Sequence, residues 1–212
     1  MKDRVIVIFD IETTGFSVVE ERIFNIGAVK HEFKNGEQTT TQYDQFMNPM
    51  KKLSSGSIRI TKMEDYMLKD KPLFKDVIGG FIDFIEGADK IVAHNGLRFD
   101  IPFLNNELTR SGFADKCIDE KICIDTLQEA RKRLPLLRSF SLDNLAKHFK
   151  IDIQERDELG HLALRDSLLL SHVFFELEKI IDHNTNEKLY EKCDELMDSL
   201  ERKTVEKPIL FG

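Results

Sequence analysis

Residues 5–15 read VIVIFDIETTG. A short, unbroken run of β-branched and aromatic residues fits a strand covered on both faces, and so a sheet with helices packed on either side. The run closes on Asp10 and Glu12. Side chains alternate along a strand, which puts Ile6, Ile8, Asp10 and Glu12 on one face with both carboxylates pointing the same way. Thr13, Thr14 and Gly15 then turn the chain. Two like charges losing hydration at a strand end stay ionised only if a cation lies between them. A divalent metal meets that need. For a lone D-x-E the alternative is an ordinary strand end facing water.

The remaining pattern supplies the partners for this strand. Residues 22–33 read as a second strand and 37–47 as a Thr-rich third, joined as a hairpin through Asn35-Gly36, which suits the positive φ angles of a tight primed turn. Pro72 opens an amphipathic helix over 72–86, with Leu73, Val77, Phe81, Ile82 and Ile85 as its apolar stripe. A fourth strand (90–94), a helix (99–110), a short fifth strand (122–124) and helices over 125–132, 141–149 and 162–181 follow. A meander followed by alternating helix and strand predicts an α/β fold. Its mixed five-strand sheet is antiparallel at the start and parallel later, with the first strand central and the hairpin at the edge. Residues 1–182 read as one domain. Residues 183–212, with a charged helix over 184–203, read as a C-terminal extension and tail dispensable for chemistry.

Acids stand where core residues belong. Asp100 is in helical register with Phe103, Leu104 and Leu108, and Asp166 with Leu162, Leu169, Leu170 and Val173. A buried carboxylate without a partner costs several kcal/mol or protonates. Asp100 also sits close enough to its helix start to serve as a cap. Taken together, Asp10, Glu12, Asp100 and Asp166 can meet at one sheet edge. Four carboxylates there suit two divalent ions about 4 Å apart, an arrangement that serves in-line phosphoryl displacement. His161 precedes Asp166 by a spacing that puts the two about 140° apart on a continuous helix. It is therefore placed on the loop after Gly160, from which it can reach the acids.

FDIETTG at 9–15, AHNGLRFDIPFL at 93–104 and HLALRD at 161–166 together resemble the three motifs of the DEDDh family of 3′–5′ exonucleases. This is the group that includes the DNA polymerase III epsilon subunit and ribonuclease T. The resemblance covers about residues 4–182. It implies a ribonuclease H-like fold, two Mg²⁺ or Mn²⁺ ions, and release of 5′-nucleoside monophosphates from the 3′ end of single-stranded DNA in proofreading or repair, with a DNA polymerase as a possible partner. Carried over by motif, Asp10, Glu12, Asp100 and Asp166 are the metal ligands and His161 the general base. Thr13, Thr14, Gly15, Asn95 and Phe99 lie beside the terminal nucleotide. The chain departs from the family in having one more residue between Asn95 and Phe99, and Thr61 where histidine is usual. A 3′-trimming exoribonuclease, a two-metal endonuclease and an inactive nucleic-acid-binding module are the competing readings.

Net charge is −7, which disfavours coating long stretches of nucleic acid but allows a grip on a short end. The three cysteines lack C-x-x-C spacing and read as reduced thiols. The N-terminal apolar run is cut by acids and reads as no signal peptide, and no stretch reaches transmembrane length, so the expected location is the cytoplasm, away from membranes. Arg131, Lys132, Arg133 and Arg138 read as a solvated basic face, and His94 as a packing residue.

Overall fold

The computed structural model describes residues 3–153 and 160–180. The sheet comprises β1 (Arg4–Thr13), β2 (Ile23–Lys34), β3 (Glu37–Phe46), β4 (Lys90–Ala93) and β5 (Cys123–Asp125). Their spatial order is β3-β2-β1-β4-β5. β1 pairs antiparallel with β2 and parallel with β4, β2 pairs antiparallel with β3, and β4 pairs parallel with β5. This is the expected ribonuclease H-like mixed sheet, with β1 at its centre. The hairpin turns through Asn35 and Gly36 at φ 54° and 85°, matching the twist of the flanking strands.

Seven α-helices are seen among the described residues: α1 (Ser55–Thr61), α2 (Asp65–Leu68), α3 (Phe74–Ile85), α4 (Asp100–Arg110), α5 (Thr126–Arg133), α6 (Leu142–His148) and α7 (Ala163–Glu178). α1 and α2 lie in a segment for which the sequence predicted no helix. α1 carries little apolar periodicity and is started by Ser54, whose hydroxyl accepts the Ser57 N–H. α3 begins later than expected, because Leu73 is its cap residue and bridges to Asn48. Its buried residues are accordingly Phe74, Ile78 and Phe81, a stripe turned one position from the predicted Leu73/Val77 register. The expected extension beyond 182 lies outside the described residues. Cys117 and Cys123 are free thiols.

The two faces of β1 bury different cores. Val7, Phe9 and Ile11 pack with residues of α3 and α4, among them Ile78, Phe81, Ile101 and Phe103. Ile6 and Ile8 pack with Leu145 of α6 and with Leu170, Val173 and Phe174 of α7. Each such large side chain, fully buried, contributes roughly 1.5–3 kcal/mol over its exposed state, so β1 is fixed from both sides. Alternation therefore delivers Asp10 and Glu12 to the α7 face.

α7 lies against β2 with almost no gap. A Cβ on Gly27 would stand 1.9 Å from the backbone N of Leu164 and 2.2 Å from the carbonyl carbon of Ala163. Ser167 bonds the Gly27 carbonyl through its hydroxyl at 2.8 Å. Gly27 is the register partner of Asp10, so this close approach sets how far Asp166 stands from the central strand. Gly27→Ala must push α7 outward against backbone atoms. It should lower stability by about 3 kcal/mol or more, at the upper end for overpacking, as read by urea denaturation.

Candidate active site

The β1–β4 ladder runs only from Ile6–Lys90 to Ile8–Val92. Beyond it, the last residues of β1 are open on that side. Asp100, the first residue of α4, enters this gap, and its carboxyl accepts the N–H of Ile11 as well as its own backbone N–H. On the opposite side, α7 brings Asp166 to the same strand end. Ligand oxygens of Asp10, Glu12 and Asp166 all lie within 4.8 Å of one another.

Asp100 lies beside this trio and is not one of its three members. It is 3 % exposed. Loss of hydration pushes its carboxyl up to about 7, opposed by the two backbone N–H donors and reinforced by the negative charges of Asp125 and Asp166. Asp125 was not singled out in the sequence. It follows the apolar residues of β5 as Asp10 follows those of β1, and that parallel is the signal that would have found it. Its carboxylate accepts from Asn95 N at 3.0 Å and Leu97 N at 3.3 Å, and also caps α5 through Leu127 N and Gln128 N. Asp125 thus holds the β4–α4 turn that presents Asp100.

His161 stands on the loop before α7, as its spacing required. The helix starts at Ala163, with Leu162 at the cap, and Gly160 takes φ +86°. The His161 N–H donates to the Ile60 carbonyl of α1 at 3.1 Å. Its ring Nδ1 is 3.4 Å from Asp166 Oδ2.

A narrow cleft of about 90 Å³ opens beside the acids, bounded by Glu12, Thr13, Gly15, Ser54, Ser57, Ile60, Thr61, Phe16 and Phe99 among others. Glu12, Thr13, Gly15 and Phe99 thus face one space. Phe16 was missed because one exposed aromatic after a turn has no periodicity to mark it. It is 79 % exposed, and its ring centroid lies 6.4 Å from that of Phe99. Thr14 and Asn95 do not line the cleft. Thr14 donates its hydroxyl to Glu21 and accepts the Arg22 N–H at 3.0 Å, closing the loop that carries Phe16. Asn95, at φ 58°, forms the turn before α4. Thr13 donates to the Gly15 carbonyl at 2.7 Å.

The donor set fits hard divalent cations. It consists of carboxylate oxygens, which suit Mg²⁺ and Mn²⁺; the Asp100 carboxyl is raised chiefly by burial, with the charges of Asp125 and Asp166 adding to it. Acids of this kind, at the end of the central strand of a ribonuclease H-like sheet and beside an aromatic cleft, form the sort of site on which a carboxylate-centred nuclease can be built.

Comparison with known proteins narrows this class. The model of the family described as exonuclease, of the RNase T type, matches residues 7–174. The DNA polymerase III subunit epsilon of Rickettsia felis is 38 % identical over 173 residues, covering 81 % of this chain and 72 % of that protein. The PolC-type DNA polymerase III of Caldanaerobacter subterraneus subsp. tengcongensis is 34 % identical over 175 residues, covering 82 % of this chain but only 12 % of the polymerase. Among solved structures, exonuclease X in complex with 5′ overhanging duplex DNA matches with a TM-score of 0.59 at 24 % identity, covering 82 % of this chain and 91 % of that one. Escherichia coli exonuclease I with a dA16 oligonucleotide matches at 0.65 and 17 % identity, covering 78 % and 39 %. These two share the fold. The chain belongs to the exonuclease family.

The raised Asp100 carboxyl gives a signed pH dependence. A folded-state value near 7 against an ordinary 3.8 means that the folded protein binds a proton the unfolded chain releases. The Asp100 contribution to metal-free stability is therefore greatest in acid and is lost as pH rises from about 3.8 to about 7. In chelator, Asp100→Asn should melt progressively above the wild type across this window. Mg²⁺ should restore the wild type at neutral pH.

Proposed function

We propose that the protein is a metal-dependent 3′–5′ exonuclease that removes 5′-nucleoside monophosphates from single-stranded DNA. The observation that carries this reading is the Asp10–Glu12–Asp166 cluster, with its oxygens within 4.8 Å, next to a cleft shared by Glu12, Thr13 and Phe99.

In this reading Asp10, Glu12, Asp100 and Asp166 hold two Mg²⁺ or Mn²⁺ ions. Bound there, the ions supply Lewis acidity, easing deprotonation of the attacking water and offsetting charge on the phosphoryl oxygens. The protein's own task is placement. Thr13 and Gly15 edge the space beside the acids, and Phe16 and Phe99 offer faces on which a terminal base can stack, a contact worth about 1–3 kcal/mol and tolerant of sequence. His161, with Nδ1 turned to Asp166, is the general base that takes the proton of the attacking water, a role that imidazole commonly fills. The net charge of −7 favours a grip on few phosphates at a strand end. The epsilon-subunit relatives support DNA as substrate, a polymerase as partner, and proofreading or repair as setting. Work on nucleic acid in the cytoplasm is part of this reading; among the described residues no helix is long and apolar enough to cross a membrane.

A time course on 3′-labelled and 5′-labelled single strands of DNA and RNA, with Mg²⁺ or Mn²⁺, tests the reading. Early release of the 3′ label as mononucleotide from DNA supports it. Rapid cutting of a closed circular strand or activity in chelator overturns it, and a preference for RNA reassigns the substrate. Base and ligand separate by mutation. His161→Ala should lose about 10²–10⁴-fold in turnover with metal binding retained, whereas Asp166→Ala should lose metal binding itself. Both are read by kinetics beside Mn²⁺ titration.

A further inference from the structure

α7 carries Asp166 and is preceded by His161, yet its cap residue is Leu162, whose side chain makes no capping bond. The first N–H groups of a helix have no partner within it. Here the first of them, from Ala163, is met from another part of the chain: it donates to Oδ1 of Asn25 at 3.0 Å. Asn25 lies on β2 as the register partner of Glu12, and it is 0 % exposed. Its Nδ2 donates to Asp44 Oδ1 at 2.8 Å and to the Gln45 carbonyl at 3.1 Å.

Only one amide orientation satisfies this set. The carboxylate and the carbonyl can only accept, and the Ala163 N–H can only donate, so Asn25 cannot flip. The side chain is thereby locked between the edge strand β3 and the start of α7. Gly27 fixes the height of α7 above the sheet, and Asn25 fixes its end.

We propose that Asn25 is a positioning residue for the acid cluster. It pins the amino end of α7 to the strand beside Glu12, and through that bond holds Asp166 and the His161 loop at their working distance from Asp10 and Glu12. Asp44 is part of the device, since it fixes the amide. Asn25 touches neither ion nor substrate in this role. The proposal rests on the cluster being the metal site.

Its test uses the full chain. Asn25→Ala should speed hydrogen–deuterium exchange at the start of α7 and raise the Mn²⁺ concentration for half-saturation by about 10–100-fold, as for other residues that orient metal ligands. It should lower kcat while KM for a short oligonucleotide stays near the wild-type value. Should that variant fail to fold, a cycle with Asp44 decides. Asn25→Asp still offers an acceptor to Ala163 but sets two carboxylates against each other, and should weaken Mn²⁺ binding. Adding Asp44→Asn supplies an amide donor and should restore part of the loss, the Gln45 contact remaining unmet. Asp44→Asn alone keeps an acceptor for Asn25 and should stay close to wild type. Equal Mn²⁺ affinity in Asn25→Asp and the double variant would overturn the proposal. So would an Asn25→Ala protein with faster exchange but wild-type Mn²⁺ affinity and kcat, which would make Asn25 merely structural. A wild type that binds Mn²⁺ without cutting DNA sinks the exonuclease reading alone; the Mn²⁺ titrations then decide the role of Asn25.

Discussion

Repulsion among carboxylates at the end of a buried strand is the constraint on which this molecule depends. Two full negative charges about 5 Å apart oppose each other by roughly 3 kcal/mol at an effective dielectric of about 20, and three acids meet at β1 with a fourth beside them. An arrangement so unfavourable survives only on a frame that cannot relax away from it. The frame is the double-sided burial of β1, with Phe9 and Ile11 held by α3 and α4 and Ile8 held by α6 and α7. Asp100 adds a second strain, a carboxyl raised mainly by its burial and further by its acidic neighbours.

The parts surrounding the cluster are tied to one another across long stretches of chain. α1 forms one wall of the cleft and also accepts the His161 backbone N–H through Ile60. Ser57 of α1 donates its hydroxyl to the Thr13 carbonyl at 2.8 Å, which fastens that wall to the acidic strand. Arg110 reaches from α4 to the Val19 carbonyl, and Asn106 to that of Val18, so the loop bearing Phe16 is anchored to the helix that begins with Asp100. Strand, loop, α1 and α7 therefore share a single set of polar fastenings around the acids.

Much of this was legible in the residues. Alternation placed Ile6, Ile8, Asp10 and Glu12 together, helical register placed Asp100 and Asp166 on buried stripes, and Gly160 announced the break that puts His161 on a loop. These readings rest on local periods, which a sequence displays directly. The cleft wall did not show itself. α1 and α2 span seven and four residues, too short for a period to emerge, and Phe16 and Ile60 acquire meaning only by lining one cleft from different parts of the chain. Asn25 had a signal, a single amide inside the apolar stretch IFNIGAV, but its partner Ala163 lies 138 residues away. Asp125 passed unnoticed at the start of a helix, which it caps, and its second duty toward the β4–α4 turn depends on strand order.

The two-residue period of β1 has a consequence for how this chain can vary. Both faces of the strand are apolar up to Phe9, so an inserted or deleted residue between Val5 and Phe9 would leave a stretch that still pairs with β2 and β4. Its hydrophobicity would hardly change. Yet the parity of everything after it would invert, and the two acids would emerge among the aromatic rings under α3 and α4 instead of opposite Asp166. The length of this segment is thus under stricter control than its composition: exchanges among Val, Ile and Phe alter packing by degrees, while a change of one in the count moves the chemistry to the wrong side of the sheet.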